Sequence, residues 1–359
     1  MSTDFDGFLA ASLNDRRDAF IGASQRLGTA AQNIEKDFWV CWTLDALFNH
    51  LPASGPRLLF KGGTSLSKAF GLISRFSEDI DITVFREDIG ETASVETLEA
   101  MSGKKRQAKL DAIKQACQGY IGGPFMEHLS TYFRDTLERA QIGQRPKVEL
   151  DLDDTSQQSL LLWYPSVLAA TDGYIRPAVK IECGAKSALD PNSAQALRPY
   201  IADDLPELDL TVSNVVTVDA ERTFWDKIVI LHGLRNWFDR RGVLRGGGQR
   251  VSRHYYDVYQ LLASGTGEAA LADAELGHDC VRHARMFFNS PDLSLATASP
   301  GTFALTQADP IISDLRRDYA AMSGMIFGDV PPFDAVVDSI GKLEVRLNAI
   351  SGWSPVTGN

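Results

Sequence analysis

In the first 220 residues of this chain, short strand-like runs of apolar residues lie between segments with helical spacing, and helical spacing dominates the remainder. Short β-branched or alternating runs predict strands at 57–60, 80–84, 147–152, 178–183 and 212–218. Helical spacing predicts helices at 34–47, 64–73, most of 94–141, 254–263, 267–289, 311–324 and 332–350. We therefore expect an α+β domain with N-terminal helices over 1–218 and a helical domain over 219–359.

Polar and glycine-rich segments separate these elements. Residues 191–206 are polar and predict turns with a short helix, and residues 290–310 predict a loop. Three consecutive glycines at 246–248 predict a flexible loop between two helices.

Two carboxylates alternate with two isoleucines in the second predicted strand. Asp79 and Asp81 share one face and Ile80 and Ile82 the other, because successive strand residues point to opposite faces. Neighbouring carboxylates repel each other unless a cation lies between them. Oxygen ligands suit Mg²⁺, which usually combines one or two carboxylates with substrate phosphates. The pattern therefore predicts a magnesium site at Asp79 and Asp81.

A glycine-rich step precedes this strand. Gly62, Gly63, Thr64 and Ser65 follow the first apolar strand, and the glycines let backbone N–H groups approach an anion closely. Either motif alone is ordinary, since an isolated DxD pair or glycine pair usually marks a turn. A phosphate-binding loop beside a carboxylate pair, however, predicts transfer of a nucleotidyl group.

On these motifs the sequence resembles the AbiEii/AbiGii type of toxin nucleotidyltransferase, within the polymerase-beta-like nucleotidyltransferase superfamily. The matching segments are IEKDFWVCWTLDALF at 34–48, FKGGTSLSKAF at 60–70, RFSEDIDITV at 75–84, VKIECGAKS at 179–187, ERTFWDKIVILH at 221–232 and RHYYDVYQLL at 253–262. The resemblance implies a polymerase-beta-like nucleotidyltransferase domain with a mixed sheet, and a C-terminal helical domain that closes the active-site cleft.

The resemblance also implies an activity and partners. It implies the toxin of a toxin–antitoxin pair, a metal-dependent enzyme that uses Mg²⁺ or Mn²⁺, takes nucleotides from an NTP and releases pyrophosphate. The implied acceptor is RNA, in first place the 3′ end of a tRNA, and a cognate antitoxin protein is a further expected partner. Two alternatives remain open: modification of a protein or small-molecule hydroxyl, and a degenerate fold that only binds a partner. The intact GGT and DID motifs argue against the second.

A third carboxylate is implied on a strand beside the DID strand. Glu182 is the first choice for this metal ligand and catalytic acid, because the resemblance covers it. Glu149, Asp151 and Asp153 are the alternative. Either set also fits an exposed strand face with cross-strand ion pairs.

Two further residues lie on predicted helices. The resemblance implies that Lys227 helps to hold the NTP phosphates, where its positive charge offsets the charge on the leaving pyrophosphate. The alternative is a lysine that extends its ammonium group from an apolar helix into water. Asp257 is expected either to orient Lys227 or to anchor its own helix. His254 stands where family members often carry an acid, and it is expected either to contact phosphate or to be a structural histidine.

Polar residues around the glycine step complete the expected nucleotide-binding set. The set is Lys61, Gly62, Gly63, Thr64, Ser65, Arg75, Ser77 and Lys227. Thr64 and Ser65 are the first candidates for phosphate contact. Arg75 has the alternative of an ion pair that fixes the Asp79 strand.

Composition changes this picture little. The 359 residues carry a formal net charge of −11, which argues against a protein that coats nucleic acid. The arginines of 235–253 can still contact RNA phosphates, or they form a solvated helix face. The four cysteines form no CxxC motif, which fits reduced cytosolic thiols. Because the sequence shows neither a long apolar run nor a signal pattern, we expect a cytoplasmic protein with no membrane partner.

Overall fold

The computed structural model describes residues 4–168, 176–248, 250–306, 309–351 and 353. The chain divides into two compact units. The sheet unit comprises Met1–Gly71, Phe76–Thr92 and Ala108–Val218, and the helical unit comprises Leu72–Arg75, Ala93–Gln107 and Asp219–Asn359. Two short stretches of the expected first domain therefore belong to the helical unit, and the roles of the two domains stay a prediction.

The strands of the described residues form one mixed sheet. They are β1 (Leu58–Lys61), β2 (Asp79–Val84), β3 (Lys147–Leu150), β4 (Ser159–Trp163), β5 (Ala178–Gly184), β6 (Asn192–Leu197) and β7 (Val212–Val218). Their order is β3-β4-β5-β2-β1-β7-β6. The β5–β2 and β1–β7 pairs are parallel and the others are antiparallel. The expected α+β fold with a mixed sheet is therefore confirmed.

Two strands lie where the sequence pattern did not predict them. β4 has the sequence SLLLW, a nearly continuous apolar run without the alternation that marks a half-buried strand. β6 lies within 191–206, so the expectation of turns there is wrong for Asn192–Leu197. It is the outermost strand next to β7, where polar side chains can stay in water. The expected short helix is a 3₁₀ turn at Tyr200–Asp204.

Helices make up most of the remaining described residues, including the C-terminal part. They are α1 (Phe5–Ala10), α2 (Leu13–Leu27), α3 (Ala31–Asp45), α4 (Gly62–Lys68), α5 (Val95–Glu99), α6 (Gly103–Tyr120), α7 (Met126–Arg139), α8 (Ala220–Arg241), α9 (Ser252–Ala263), α10 (Thr266–Ala272), α11 (Ala274–Phe287), α12 (Asp309–Met322) and α13 (Phe333–Asn348). The expected single helix at 267–289 is two helices, because Asp273 accepts a hydrogen bond from the Leu276 N–H and caps α11. Among the described residues, no helix is long and apolar enough to cross a membrane.

Helix α3 is the main helical support of the sheet unit. It packs against β2, β5 and β7. Phe38, Trp39 and Trp42 on α3 are almost fully buried. Trp39 stacks on Tyr164 with ring centroids 5.5 Å apart, and Trp42 packs against Phe133 at 5.2 Å. Such aromatic pairs add to the burial of apolar area, so α3 is firmly fixed on the sheet.

Helix α8 is the corresponding support of the helical unit, where it packs against α9, α10 and α11. Its residue His232 is fully buried. The Nδ1 atom of His232 accepts a hydrogen bond from the Ala304 N–H at 3.2 Å, and Nε2 lies 3.3 Å from the Ser294 carbonyl oxygen. A donor at one ring nitrogen and an acceptor at the other select the neutral imidazole. Burial accordingly lowers the pKa of His232 below its ordinary value of 6.5.

We expect His232 to make the protein less stable in mild acid. Unfolded His232 binds a proton below its ordinary pKa of 6.5, whereas the folded residue stays neutral to lower pH, so acid favours unfolding. The free energy of unfolding should fall by up to about 1.4 kcal/mol per pH unit on this account. Urea unfolding near neutral pH and one to two pH units lower should show a smaller loss for His232→Gln than for the wild type. Equal losses would assign the pH dependence to other groups.

Candidate active site

The candidate site is built on β2, which lies between β1 and β5. Ile80 and Ile82 are fully buried, and Asp79 and Asp81 on the opposite face are partly exposed. The alternation of the sequence therefore places the two carboxylates together on one face of a central strand.

Residues directly opposite on neighbouring strands point to the same face, and the register brings further charged side chains beside Asp81. Asp81 is opposite Lys61 of β1 and Glu182 of β5, and Asp79 is opposite Lys180. Lys180 Nζ lies 2.8 Å from Glu182 Oε1. Glu182 therefore shares a face with both aspartates and is held by a lysine of its own strand.

The alternative third carboxylates have other partners. Glu149 accepts from the Trp163 indole N–H at 2.8 Å and pairs with Lys147. Asp151 is buried and lies 3.3 Å from Lys180 Nζ. For Asp153, its backbone N–H donates to the Asp151 carboxylate. The identity of the third carboxylate stays a prediction.

The donors on this face fit a hard divalent cation. Asp79 and Asp81 offer carboxylate oxygens only, with Glu182 in register beside them, and such oxygens are the ligands that Mg²⁺ prefers. Within the described ranges, no three His, Cys, Asp or Glu side chains are grouped closely enough to hold a metal ion by themselves. Two carboxylates plus substrate phosphates would suffice for Mg²⁺.

The glycine step lies directly against this carboxylate pair. Gly62 begins α4 and has a φ of +84°, a conformation that disfavours L side chains. A Cβ atom at Gly62 would lie 2.1 Å from Asp81 Oδ2. The Asp81 carboxylate therefore occupies the space that a side chain at residue 62 would need, and the backbone of Gly62 and the carboxylate are immediate neighbours.

We expect Gly62→Ala to displace the Asp81 carboxylate and to lower nucleotide transfer by about 10²-fold or more. Gly90→Ala is the matched control, because Gly90 has a similar φ of +81° but nothing within 4 Å of the added Cβ. Both variants should lose about 1 kcal/mol of stability from the backbone conformation. Equal activities of the two variants, measured at matched folded concentration, would show that the contact of Gly62 with Asp81 does not contribute to nucleotide transfer.

The hydroxyls of Thr64 and Ser65 lie in the first turn of α4, where no loop is present, and they make hydrogen bonds within the protein. Thr64 and Ser65 are fully buried. Thr64 Oγ1 donates to the Asp79 carbonyl oxygen, and Ser65 Oγ donates to the Gly62 carbonyl oxygen. A hydroxyl has a single hydrogen, so the 2.8 Å bond between Thr64 Oγ1 and Ser77 Oγ uses the Ser77 hydrogen. Thr64 therefore joins α4 to the carboxylate strand, and phosphate contacts of Thr64, Ser65 and Ser77 stay predictions.

The remaining expected site residues, Arg75, Lys227 and Asp257, come together in the helical unit. Arg75 Nε and Nη2 donate to the two carboxylate oxygens of Asp257 at 2.7 and 2.8 Å. Lys227 Nζ donates to Asp257 Oδ2 at 2.8 Å. Asp257 is 0% exposed, and Arg75 and Lys227 are buried. The Asp257 carboxylate therefore joins two buried cations. Arg75 forms this ion pair with α9, and its expected role in fixing the Asp79 strand stays a prediction.

The charges of this cluster oppose the effect of burial. Burial alone would raise the pKa of Asp257, but the Arg75 and Lys227 cations hold it well below its ordinary range. Burial lowers the pKa of Lys227, and Asp257 opposes that change. The carboxylate is thus ionised at neutral pH.

Sequence reasoning left one group of charged residues without a role. Glu35, Lys36 and Asp37 are consecutive on α3 and only 1%, 6% and 3% exposed. A run of three charged residues before the apolar stretch was visible, but their partners lie 31 to 163 residues away in the chain. Only the folded structure shows those partners.

Comparison with known proteins gives a family match that spans most of the chain. A family model described as nucleotidyl transferase AbiEii toxin, type IV toxin–antitoxin system, matches residues 45–339. No curated protein matches the sequence. Among solved structures, the nucleotidyltransferase toxin MenT4 from Mycobacterium tuberculosis H37Rv is similar over 92% of this chain and 99% of that chain, with 13% identity and a TM-score of 0.43. A similarity at that level supports no inference about this chain.

Proposed function

Because the chain belongs to the AbiEii family of nucleotidyl transferase toxins of type IV toxin–antitoxin systems, we propose that it transfers nucleotides from an NTP to the 3′ end of a tRNA. The proposed metal is Mg²⁺, with Mn²⁺ as a substitute, held by Asp79, Asp81 and Glu182. The observation that carries the proposal is the Asp81 carboxylate against the Gly62 backbone. This contact supports the proposal because a carboxylate suited to Mg²⁺ lies beside backbone that, without a side chain at residue 62, a phosphate could approach.

The reaction balances as a displacement at the α-phosphorus. The acceptor oxygen forms a bond to the α-phosphorus, the bond to the bridging oxygen breaks, and pyrophosphate leaves with the electron pair. The carboxylate nearest the acceptor oxygen takes its proton. When bound, Mg²⁺ would supply positive charge that favours the ionised acceptor and neutralises the phosphates.

The basic groups of the chain have proposed roles in holding the nucleotide. Lys61 lies opposite Asp81 on the same face, where its charge suits a phosphate oxygen. Lys227 donates one N–H to Asp257, and an ammonium group has two further donors for the leaving pyrophosphate. Both NTP and tRNA are cytoplasmic, so we place the activity in the cytoplasm.

An exposed basic cluster in the helical unit favours an RNA acceptor over a small molecule. Arg240, Arg241 and Arg245 are exposed at and beyond the end of α8. The guanidinium carbons of Arg241 and Arg245 each lie 5.5 Å from the centre of the Trp237 ring. Arginines beside an aromatic ring suit the phosphates and bases of RNA.

The first experiment is a transfer assay. Each labelled NTP is incubated with Mg²⁺, total tRNA and either the wild type or Asp79→Ala, and the products are separated on a denaturing gel. Label on tRNA with the wild type only supports the proposal and identifies the base. Label on protein instead supports the alternative, modification of a protein hydroxyl. Absence of label with all four NTPs contradicts transfer to tRNA.

The arginine cluster is tested with the same assay. Arg241→Gln/Arg245→Gln is expected to raise the KM for tRNA several-fold and to lower the slope of its logarithm against the logarithm of salt concentration by about one to two. The KM for NTP should not change. Arg316→Gln/Arg317→Gln removes the same charge from exposed positions of α12 and is the matched control. Equal effects of the two double variants would show that the KM for tRNA depends on the total charge of the protein and not on the arginine cluster.

A further inference from the structure

Two ion pairs join α3 to the two halves of the candidate site. Lys36 Nζ lies 2.6 Å from Glu78 Oε2, and Glu78 immediately precedes Asp79. Lys68 Nζ lies 2.8 Å from Asp37 Oδ1, and Lys68 is the last residue of α4, the helix that begins at Gly62. We call these the α3 ion pairs. Consecutive helix residues do not face each other, so neighbouring positions of one helix reach two separate elements.

Both ion pairs are shielded from water. The Lys36 and Glu78 side chains are 7% and 17% exposed, and those of Lys68 and Asp37 are 4% and 3% exposed. Lys68 Nζ also lies 3.6 Å from the centre of the Tyr200 ring. Burial opposes the charged form of Lys68, but the Asp37 carboxylate holds the pKa of Lys68 above its ordinary value. Lys68 therefore stays charged and is committed to Asp37 rather than to a phosphate.

The contacts form a closed ring around the site. Lys36 forms an ion pair with Glu78, and the Thr64 hydroxyl donates a hydrogen bond to the Asp79 carbonyl oxygen. Lys68, at the end of α4, forms an ion pair with Asp37, which is next to Lys36 on α3. The chain itself supplies the links from Glu78 to Asp79 and from Thr64 to Lys68. Since α3 is fixed on the sheet by its aromatic residues, neither α4 nor the start of β2 can shift without breaking a buried contact.

Buried ion pairs are poorly explained by stability alone. Replacing both members with apolar residues of similar volume is often neutral or stabilising, because burying two charges costs about as much as their attraction returns. The two members of a buried pair must, however, stay together, because separating them leaves two buried charges without compensation, whereas apolar groups tolerate sliding. The two pairs flank the step at which Gly62 meets Asp81, the place where a displacement matters most.

We propose that Lys36 and Asp37 are positioning residues, which set the spacing between the glycine step and the Asp79–Asp81 carboxylates. They act through Glu78 and Lys68 and do not touch the nucleotide. The inference rests on the proposed function, since it concerns the geometry of that site. It predicts that the pairs control metal affinity and turnover more than they control stability.

The test removes each pair without leaving a lone charge. Asp37→Leu/Lys68→Met and Lys36→Met/Glu78→Met are compared with the wild type by thermal unfolding, by the kcat and KM for NTP, and by Mn²⁺ binding followed by electron paramagnetic resonance. Each double variant should fold, keep the KM for tRNA, bind Mn²⁺ about 10-fold more weakly and lose about 10- to 100-fold in kcat. Lys36→Arg keeps a cation opposite Glu78 and should therefore retain most of the wild-type Mn²⁺ affinity and kcat.

Glu35→Gln is the matched control on the same helix. Glu35 is equally buried, but it accepts hydrogen bonds from Ser166 Oγ at 2.6 Å and the Val167 N–H at 2.7 Å, in the segment after β4. This variant should unfold at a lower temperature with Mn²⁺ binding and kcat unchanged.

The outcomes separate this inference from the proposed function. Wild-type Mn²⁺ affinity and kcat in both double variants would overturn the positioning role. Loss of these properties in proportion to stability, with Glu35→Gln affected equally, would also overturn it. If the wild type transfers no nucleotide, the proposed function fails, and the Mn²⁺ affinities of the same proteins still decide whether the α3 ion pairs set the carboxylate geometry.

Discussion

Asp79→Asn and Asp81→Asn are each expected to lower nucleotide transfer by about 10³-fold, while the protein remains folded. Each change keeps the shape of the side chain and removes one negative charge from the proposed metal ligands. Losing several kcal/mol of transition-state stabilisation by the metal corresponds to a factor of that size. In wild-type protein Mg²⁺ should raise Tm, because a ligand that binds only the folded state stabilises it. Both variants should lose this rise.

Asp135→Asn is the control for these two variants. Asp135 is a half-exposed carboxylate on α7, in the same unit. It should keep full transfer and the Mg²⁺-dependent rise in Tm. Transfer at the wild-type rate by Asp79→Asn or Asp81→Asn would exclude β2 as the catalytic strand.

Asp257→Ala is expected to cause the largest loss of stability, about 3–5 kcal/mol. The change leaves the Arg75 and Lys227 cations buried without the carboxylate that joins them. The free energy of unfolding is measured in urea near neutral pH. Asp239→Ala is the control, because Asp239 is exposed and pairs with Arg235 on the surface of α8, where an ion pair contributes at most about 1 kcal/mol. A similar small loss in both variants would show that the buried cations are solvated by other means.

The pH dependence of the Asp257 effect has a definite sign. The folded pKa of Asp257 lies below its ordinary value of 3.8, so its stabilisation is present above that value and is lost as pH falls toward the folded pKa. The stability difference between wild type and Asp257→Ala should therefore be constant near neutral pH and shrink in strong acid.

The sequence predicted the strands that show alternation or a β-branched run within their own residues. β2 alternates carboxylate and isoleucine, and β7 is β-branched, so both follow from side-chain period alone. β4 lacks alternation because apolar residues, Leu161 and Trp163, also occupy its half-buried positions, and β6 is polar because it is outermost. The residue types at the less buried positions of each strand thus decided whether its sequence pattern was recognisable.

The sequence indicated the chemistry of the candidate site but not its geometry. The glycines and the carboxylates could be singled out from residue type and spacing, because the proposed function requires those types in that order. The contact of Gly62 with Asp81 and the pairing of Arg75 with Asp257 depend on how distant segments meet, and Arg75 and Asp257 are 182 residues apart. The sequence alone does not identify such pairs, because a charged residue has the same letter whether its side chain faces water or a buried partner.

The order of the strands bears on how the toxin is made. β1 and β2 are synthesised early, but their outer neighbours, β7 and β5, come more than ninety residues after β2. A chain released before residue 178 carries the carboxylate strand with one edge unpaired, and a chain released before residue 212 leaves β1 in the same state. Unpaired edges and long loops leave such pieces without a stable sheet. Fragments from stalled ribosomes would therefore lack the paired sheet on which the proposed site is built.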